Sequence, residues 1–319
     1  MMASKKLPMR RVFGEKLVEL GKTHPELVVL DADVSCSTQT RLFAEAFPGR
    51  FINCGIAEAD MVSVAAGIAV AGLRPVVSSF AYLLATRSSD QIRSQVAYNK
   101  LPVIIAGGYA GLSDFADGAS HQSFEDLAFF RTMPNMKVTC PGDATEVELI
   151  LEECLKQDEP VFIRLSRAEV ERIDYPNRFS IGKACIRQDG QDVAIISTGQ
   201  MLETALAAGL KLNKDGISTR VIDMHTVKPL DDEAVLSAAK QCRAIVTCEE
   251  NSLIGGLGSA VASLLATCLP TPMRMIGIHD KFGQSGKYED LKKDYGLSDK
   301  HIIDAVRELL AKKMDSCET

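Results

Sequence analysis

The stretch Phe51-Ile-Asn-Cys-Gly-Ile-Ala-Glu-Ala-Asp-Met61 joins a strand-like run to a long helix of small apolar residues. Residues 50–54 favour a strand, and residues 61–71 are apolar all round, which is typical of a helix packed inside a protein. Glu58 stands at the head of that helix. We therefore expect its carboxyl group to be partly desolvated, with a raised pKa that suits proton transfer. The alternative is a first-turn acid that is favoured only by the helix dipole.

Outside this stretch, short β-branched runs alternate with longer helical stretches, which predicts an α/β fold with mainly parallel sheets. In the first half, strands are predicted at residues 27–30, 51–54, 75–79, 102–107, 137–140 and 161–165, and helices at 10–22, 38–46, 59–71, 86–98, 123–131 and 144–156. In the second half, strands are predicted at 193–197, 219–223, 244–248 and 273–278, and helices at 202–212, 231–240, 257–267 and 301–312. Charged and turn residues become frequent between the halves. We therefore expect two three-layer α/β domains, residues 1–170 and 191–319, joined by a linker at 171–190.

Composition narrows the class of protein. A chain of 319 residues is long enough for about two domains with separate cores. The hydrophobic content of 46% is that of an ordinary globular protein, and the net charge of -6 argues against a nucleic-acid partner. No apolar run reaches the roughly 18 residues of a membrane span, and the polar N-terminus does not resemble a secretory signal. Nine scattered cysteines without a Cys-x-x-Cys pair favour reduced thiols, so we expect a cytoplasmic protein without membrane association.

Four loops in the first half follow predicted strands, where open α/β sheets place their ligands. They contain Asp31-Ala-Asp-Val-Ser-Cys-Ser37, Glu58, Ser78-Ser-Phe80 and Asp117-Gly-Ala-Ser-His-Gln122. A histidine in a loop is often a surface or structural group. His121 lies just before a helical stretch and near Asp117, so a catalytic and a structural interpretation both stay open.

Taken together, these stretches resemble the C-terminal half of transketolase, a thiamin-diphosphate enzyme, over essentially the whole chain. The matching segments are Asp31-Ala-Asp33, Asn53-Cys-Gly-Ile-Ala-Glu-Ala-Asp-Met-Val62, Asp90-Gln-Ile-Arg93, Asp117-Gly-Ala-Ser-His-Gln-Ser-Phe-Glu-Asp-Leu-Ala128, Arg131-Thr-Met-Pro-Asn135, Leu165-Ser-Arg167, Gly255-Gly-Leu-Gly258 and Phe282-Gly-Gln-Ser-Gly286. Their order and spacing carry the resemblance, because each motif alone is short. The resemblance implies a pyrimidine-binding domain followed by a transketolase C-terminal domain.

The resemblance implies a cofactor site of three residues. Glu58 would hydrogen-bond the aminopyrimidine ring of thiamin diphosphate and handle a proton there, which a carboxyl group with a raised pKa suits. Phe80 would stack on the same ring, although core packing at a strand end is an alternative for this side chain. Asp33 would lie near the thiazolium ring.

The resemblance also implies a substrate site. Asp117 and His121 would contact the sugar hydroxyls, which makes Glu58 and His121 the predicted catalytic residues. Arg10, Ser37 and Arg167 would hold the phosphate, since guanidinium groups match its oxygens in bidentate fashion.

Two departures from the family pattern concern the ligands. Leu83 stands where the family usually has a second aromatic ring, and Tyr109 stands where the family has a phosphate-contacting histidine. A tyrosine carries no positive charge near neutral pH. The identity of the sugar phosphate is therefore open, whereas the cofactor chemistry is not affected.

The sequence contains no Gly-Asp-Gly segment, which thiamin-diphosphate enzymes use to hold Mg²⁺ and the diphosphate. We therefore expect a separate N-terminal transketolase subunit that supplies this domain, in a heterotetramer or around a self-dimer of this chain. The loop Gly255-Gly-Leu-Gly258 could cradle a phosphate at a helix N-terminus. Its pattern is incomplete, and close strand–helix packing is favoured there, with the second domain serving assembly.

The leading hypothesis is the C-terminal subunit of a split transketolase that transfers a two-carbon ketol unit between sugar phosphates. A sharper variant acts on an unusual pentulose phosphate such as apulose 4-phosphate. The alternatives are the beta subunit of a 2-oxo-acid dehydrogenase and a non-catalytic assembly subunit.

Overall fold

Two mostly parallel β-sheets, each covered by helices on both faces, organise the chain. The structure is a computed structural model that describes residues 6–175 and 179–315. The predicted α/β class with two three-layer domains is confirmed. None of the helices in these two ranges is both long enough and apolar enough to cross a membrane.

The elements are numbered in chain order. The strands are β1 (Leu7–Pro8), β2 (Leu27–Asp31), β3 (Phe51–Asn53), β4 (Arg74–Phe80), β5 (Ile104–Gly108), β6 (Lys137–Thr139), β7 (Val161–Arg164), β8 (Glu169–Val170), β9 (Cys185–Gln188), β10 (Val193–Ser197), β11 (Thr219–Asp223), β12 (Thr226–Lys228), β13 (Ala244–Ser252) and β14 (Met273–Ile278). The α-helices are α1 (Met9–Thr23), α2 (Ser35–Thr38), α3 (Arg41–Ala46), α4 (Glu58–Val70), α5 (Ala81–Arg87), α6 (Ser89–Gln91), α7 (Asp126–Thr132), α8 (Ala144–Leu155), α9 (Met201–Lys214), α10 (Asp232–Gln241), α11 (Leu257–Cys268), α12 (Tyr288–Asp294) and α13 (Asp299–Asp315). A π-helical segment covers Ile92–Ala97, and 3₁₀ turns cover Pro48–Arg50 and Gly118–Ser120.

The first sheet has the strand order β12-β6-β7-β5-β4-β2-β3. All neighbours are parallel except β12, which comes from the second half of the chain and pairs antiparallel with β6. Buried apolar residues of α1, α3 and α8 cover one face, and those of α4, α5 and α7 cover the other. Strands covered on both faces explain the continuous apolar runs of the sequence.

The second sheet has the order β14-β13-β10-β11-β9, and only its edge strand β9 is antiparallel. Strand β9 lies within residues 171–190, the segment predicted as a linker. One buried apolar cluster contains Phe162 and Met136 of the first domain together with Ile196 and Val261 of the second. The two domains therefore share a continuous core.

Two predicted helices are divided. The predicted helix 38–46 is two helices, α2 and α3, because Gln39 between them adopts a left-handed φ of 66°. The predicted helix 86–98 starts earlier, at Ala81, and passes through α5, α6 and the π-helical segment. Strand β13 also extends to Ser252, beyond the predicted end at residue 248.

Candidate active site

The candidate residues of the first domain gather at the carboxyl ends of β2, β4, β5 and β7. Parallel strands bring their carboxyl ends to one edge of a sheet. Phe80 is the last residue of β4. The other candidates, Asp33, Tyr109 and Arg167, follow β2, β5 and β7 within three residues, and Glu58 opens α4.

Glu58 is the first residue of α4 and is only 3% exposed. Ser79 Oγ donates a hydrogen bond to its Oε1 atom at 3.3 Å, and Arg87 Nη1 donates to Oε2 at 3.3 Å. The predicted burial of the carboxyl group is confirmed. The contact with Arg87 was not predicted, since this arginine is a half-exposed side chain at the end of α5 with no motif around it.

Three rings cluster next to this acid. The ring centroids of Phe80 and Tyr109 are 4.6 Å apart, and those of Phe80 and His121 are 5.7 Å apart. Phe80 is half-buried and Tyr109 is buried. His121 Nδ1 lies 2.9 Å from Ser120 Oγ, and Asp117 is exposed on the same loop.

Arg10 and Arg167 converge on Tyr109 from two different elements. Arg10 Nη1 donates to Tyr109 Oη at 2.6 Å and to the carbonyl oxygen of Ser37 at 3.1 Å. The Cζ atoms of Arg10 and Arg167 lie 5.7 Å and 5.2 Å from the centre of the Tyr109 ring. Both arginines line a cleft of about 840 Å³ between the two domains. The structure thus brings together Arg10, Ser37 and Arg167, which the sequence predicts to hold a phosphate. After that prediction, we name Arg10, Tyr109 and Arg167 the anion pocket.

Asp114 is a buried acid behind this pocket that sequence reasoning missed. It has no exposed surface, and its Oδ1 atom accepts from Arg167 Nη1 at 3.2 Å. Burial, followed by the neighbouring Asp117 carboxyl group, raises the pKa of Asp114 to about 6. The residue lies in a glycine-rich loop between Ser113 and Phe115, and no spacing in the sequence indicates that it faces Arg167.

The loop that carries Asp33 is held by a second buried acid. Asp31 accepts hydrogen bonds from the Val34 amide at 2.6 Å and from the Thr38 and Thr40 hydroxyls at 2.8 Å each. Burial raises the pKa of Asp31. Asp33 itself is exposed, has a φ of 65°, and accepts from Asn53 Nδ2 at 3.0 Å. Asp31 therefore supports the loop, whereas Asp33 is free to face a ligand.

The second domain holds the loop that bears Asp114, Asp117 and His121, which we name the substrate loop (residues 110–122). Gln122 Nε2 donates to the carbonyl oxygen of Gln284 at 3.1 Å, and the Gly286 amide donates to the carbonyl oxygen of Phe115 at 3.0 Å. Glu250 accepts from the Leu112 amide at 2.7 Å and from the Tyr288 hydroxyl at 2.5 Å. The motif Phe282-Gly-Gln-Ser-Gly286 is thereby placed against the site.

The glycine loop at the start of α11 already contains a carboxylate. Glu249 accepts from the amides of Leu257 and Gly258, at 2.7 Å each. Burial raises the pKa of Glu249 to about 7. A Cβ atom on Gly258 would lie 2.7 Å from Met275 Sδ. The expected close packing is confirmed, and the helix N-terminus that could hold a phosphate is filled by a side chain of the protein.

Within the described ranges, no group of three or more His, Cys, Asp or Glu side chains is arranged to hold a metal ion.

The fold and the site indicate a class of protein in which two consecutive α/β domains have a cleft between them. Residues 5–172 match the pyrimidine-binding domain of transketolase, and residues 182–302 match the transketolase C-terminal domain. The chain belongs to the transketolase family.

Three relatives resemble the chain over almost all of its length. A putative transketolase C-terminal section of Methanocaldococcus jannaschii is 43% identical, covering 96% of this chain and 97% of that protein. A 6-deoxy-6-sulfo-D-fructose transketolase subunit of a Clostridium species is 39% identical, covering 96% and 95%. One of the subunits of an apulose-4-phosphate transketolase from Phocaeicola vulgatus is 36% identical, covering 98% and 100%.

A solved structure agrees with these relatives. It is described as a split-gene transketolase in an inactive beta4 tetramer, and it superposes with a TM-score of 0.87 at 41% identity, covering 96% of this chain and 99% of that one. The chain therefore corresponds to the C-terminal subunit of a split transketolase, and the 2-oxo-acid dehydrogenase alternative has less support.

Proposed function

We propose that this chain forms the pyrimidine side of a transketolase active site that is completed by an N-terminal subunit. The complete enzyme transfers a two-carbon ketol unit between sugar phosphates. The observations that carry this proposal are a buried acid, Glu58, at the start of α4 and two arginines, Arg10 and Arg167, that line the cleft between the domains. The substrate loop contacts residues of both regions, since His121 lies beside Phe80 and Asp114 accepts from Arg167.

The residues near Glu58 fit an aminopyrimidine ring. Both contacts of its carboxyl group are long, at 3.3 Å, so an oxygen atom remains able to bind a ring nitrogen. The half-buried ring of Phe80 offers a stacking surface, and Asp33 is exposed at the next strand end. Bound thiamin diphosphate supplies the carbanion chemistry of ketol transfer. The role of Glu58 is then to hold a proton at the ring nitrogen, within a site that excludes water.

A partner subunit supplies the residues that bind the diphosphate and Mg²⁺. The absence of Gly-Asp-Gly from the sequence supports this assignment, as does the similarity to proteins named as separate transketolase subunits. Ile56, two residues before α4, and Val70, the last residue of α4, are 75% and 74% exposed, as expected of apolar side chains that a second polypeptide covers. In a heterotetramer with two copies of each subunit, each active site contains the pyrimidine side from this chain and the diphosphate side from the partner subunit. The described cysteines are all free thiols, which fits the cytoplasm as its location.

The substrate of this chain is a sugar with a charged end. Arg10 and Arg167 suit an oxyanion, and the relatives named for apulose 4-phosphate and for a sulfo sugar both act on anionic sugars. An unusual pentulose phosphate such as apulose 4-phosphate is one donor that fits this cleft.

Reconstitution tests the proposal. The isolated chain is expected to bind thiamin diphosphate weakly and to transfer no ketol group, and activity should appear when the N-terminal subunit is added. In the reconstituted enzyme, Glu58→Gln should lower kcat by about 10²- to 10⁴-fold, because a proton-transfer group is lost.

Asp60→Asn is the matched control, since Asp60 is an exposed acid in the same first turn of α4. If Glu58 serves only the helix dipole, both variants should have similar, small effects, and the catalytic assignment fails. Full activity of the isolated chain would show that no partner completes the site.

A further inference from the structure

The anion pocket carries less positive charge than its two arginines indicate. Tyr109 lies between Arg10 and Arg167, and its hydroxyl oxygen accepts from Arg10 at 2.6 Å. Asp114 is buried directly against Arg167, with 3.2 Å between Asp114 Oδ1 and Arg167 Nη1. When Asp114 is ionised, the two guanidinium groups and this carboxylate sum to a single positive charge.

Asp114 also lacks a donor for its second oxygen. Its Oδ2 atom is buried, and none of the described residues donates a hydrogen bond to it. The neighbouring group on the substrate loop is the carboxyl group of Asp117, so a hydrogen bond between the two acids requires a proton on one of them. A proton on Asp114 would allow its buried Oδ2 atom to take part in a hydrogen bond. It would also neutralise the negative charge of the carboxylate.

The ionisable groups that act directly on Asp114 are Asp117, His121 and Arg167. Asp117 and His121 share its loop, and Arg167 comes from the segment after β7. The second domain contributes Glu250 and Tyr288, which bind each other and hold the same loop at Leu112. Among these groups, Arg167 is the one that donates a hydrogen bond to Asp114 in the described part of the chain.

We propose that Asp114 is a specificity-determining residue: it sets the net charge of the anion pocket and takes up a proton when a doubly charged oxyanion binds between Arg10 and Arg167. This inference deepens the proposed function, on which it rests for the sugar's charged end. A sulfonate, or another group with a single negative charge, matches the single positive charge that the pocket has when Asp114 is ionised. A phosphate monoester, which carries about -1.5 to -2 near pH 7, binds with protonation of Asp114.

The sign of the pH dependence of anion binding follows from the pKa of about 6 for Asp114 in the chain without a bound anion. Below this value the acid is neutral and a dianion meets two uncompensated arginines. Above this pH, binding of a dianion requires Asp114 to take up one proton, so the dissociation constant of the dianion should rise by up to about tenfold per pH unit. A monoanion should show a much flatter profile.

Calorimetry on the full-length chain tests this with two probes whose charge is fixed between pH 5.5 and 8.5, inorganic sulfate as the dianion and methanesulfonate as the monoanion. Titrations in two buffers of different ionisation enthalpy count the protons taken up. For sulfate at pH 7.5 we expect an uptake approaching one proton, and for methanesulfonate an uptake near zero. Because these measurements need no turnover, they are independent of whether ketol transfer is the reaction.

Asp114→Asn keeps an oxygen that can accept from Arg167 while removing the charge. It should abolish the proton uptake with sulfate and lower the sulfate dissociation constant at pH 8 by at least tenfold. Glu169→Gln is the matched control, because Glu169 is an exposed acid that lines the same cleft. It should keep the proton uptake of the unmodified chain.

Asp117 and His121 stay in place in Asp114→Asn, so the comparison with the unmodified chain isolates the carboxyl group of Asp114. Circular dichroism melts establish that the variant is folded. Sulfate binding to the unmodified chain with no proton uptake, or uptake that persists in Asp114→Asn, would overturn the proposal. Should Asp114→Asn fail to fold, the proton count with sulfate is repeated in His121→Asn: uptake that persists in this variant supports Asp114 as its source, and uptake that is lost would overturn the proposal.

Discussion

Tyr109 contacts both arginines of the anion pocket that is proposed to bind the charged end of the substrate. Its hydroxyl oxygen accepts from Arg10 at 2.6 Å, and its ring faces the guanidinium group of Arg167. It has a φ of 60°, which a bulky residue adopts only when its surroundings hold it. Tyr109 therefore fixes the direction of two cations, a task for which its ring and hydroxyl are both needed.

Removal of the hydroxyl tests this arrangement. In the reconstituted enzyme, Tyr109→Phe keeps the ring but removes one of the two oxygen atoms that accept from Arg10. The acceptor that stays is the carbonyl oxygen of Ser37. A hydrogen bond to a charged group contributes about 1.5–3 kcal/mol, so KM for a phosphorylated ketose should rise by roughly tenfold or more. The same ketose without its phosphate is the control, and its KM should stay nearly constant. An equal rise for both substrates would show that Tyr109 shapes the site as a whole and does not orient Arg10.

The sequence predicted the residues that stand at strand ends but not those that face them from elsewhere. Glu58 and Phe80 could be found because an apolar helix and a strand end mark their positions. Asp114 and Arg87 could not be found, since their partners are 53 and 29 residues away along the chain. Short-range patterns carry no information on such pairs.

At the scale of elements, most strands and helices were predicted because their periods are strong, and the errors have physical causes. The end of β13 contains Glu249 and Glu250, which in sequence are typical of a loop. In the structure these acids are buried, because backbone amides of other segments donate to both. Strand β12 was also missed, since it completes the sheet of the other domain and its role is fixed only by tertiary pairing.

The substrate loop and the segment 282–286 form one element pair across the domain boundary. Gly118 has a φ of 74°, and a Cβ atom placed on it would lie 2.5 Å from Ser285 Oγ and 2.9 Å from the Ser285 amide nitrogen. Any side chain at this position must displace one segment from the other. The spacing of the two segments therefore sets the positions of Asp117 and His121.

Gly118→Ala should separate these segments. Alanine with a left-handed φ costs about 1–2 kcal/mol, and the close approach of Ser285 adds to this. We expect a lower midpoint of thermal unfolding and a fall in kcat/KM of at least tenfold in the reconstituted enzyme. Gly49→Ala is the control, because a Cβ atom there meets no other atom within 4 Å. A stable and fully active Gly118→Ala variant would show that the second domain does not position the loop.

At the scale of the whole molecule, hydrogen bonds from arginine side chains join the two domains. Arg164 of the first domain donates to Asp126 at 2.7 Å and to the carbonyl oxygen of Glu250 at 3.1 Å. Arg131 donates to the carbonyl oxygens of Gly255 and Gly256. Both contacts end at or beside β13, the strand whose acids also hold the substrate loop and the start of α11. Domain packing and site geometry are thus parts of the same network.

Arg187 is the centre of the densest of these contacts. It lies on β9 of the second domain and donates to Asp223 of the same domain at 2.9 Å. It also donates to Glu146 at 2.7 Å and Asp143 at 3.2 Å, both at the start of α8 in the first domain. All four side chains are almost fully buried. Without the arginine, three acids would face one another across the domain boundary.

Arg187→Met should therefore destabilise the full-length chain by about 3–5 kcal/mol, because removing one partner leaves buried charges without compensation. The loss should be measured by urea unfolding at pH 7.5, and it should become smaller toward pH 5, since burial raises the pKa of Asp143 to about 6 and protonation removes the repulsion. Arg172→Met is the matched control: Arg172 pairs with Glu148 of the same helix α8, but on the surface, where such pairs contribute about 0–1 kcal/mol. Equal losses for the two variants, or a loss for Arg187→Met that does not change with pH, would show that the arginine contributes packing and does not hold the domains together by charge.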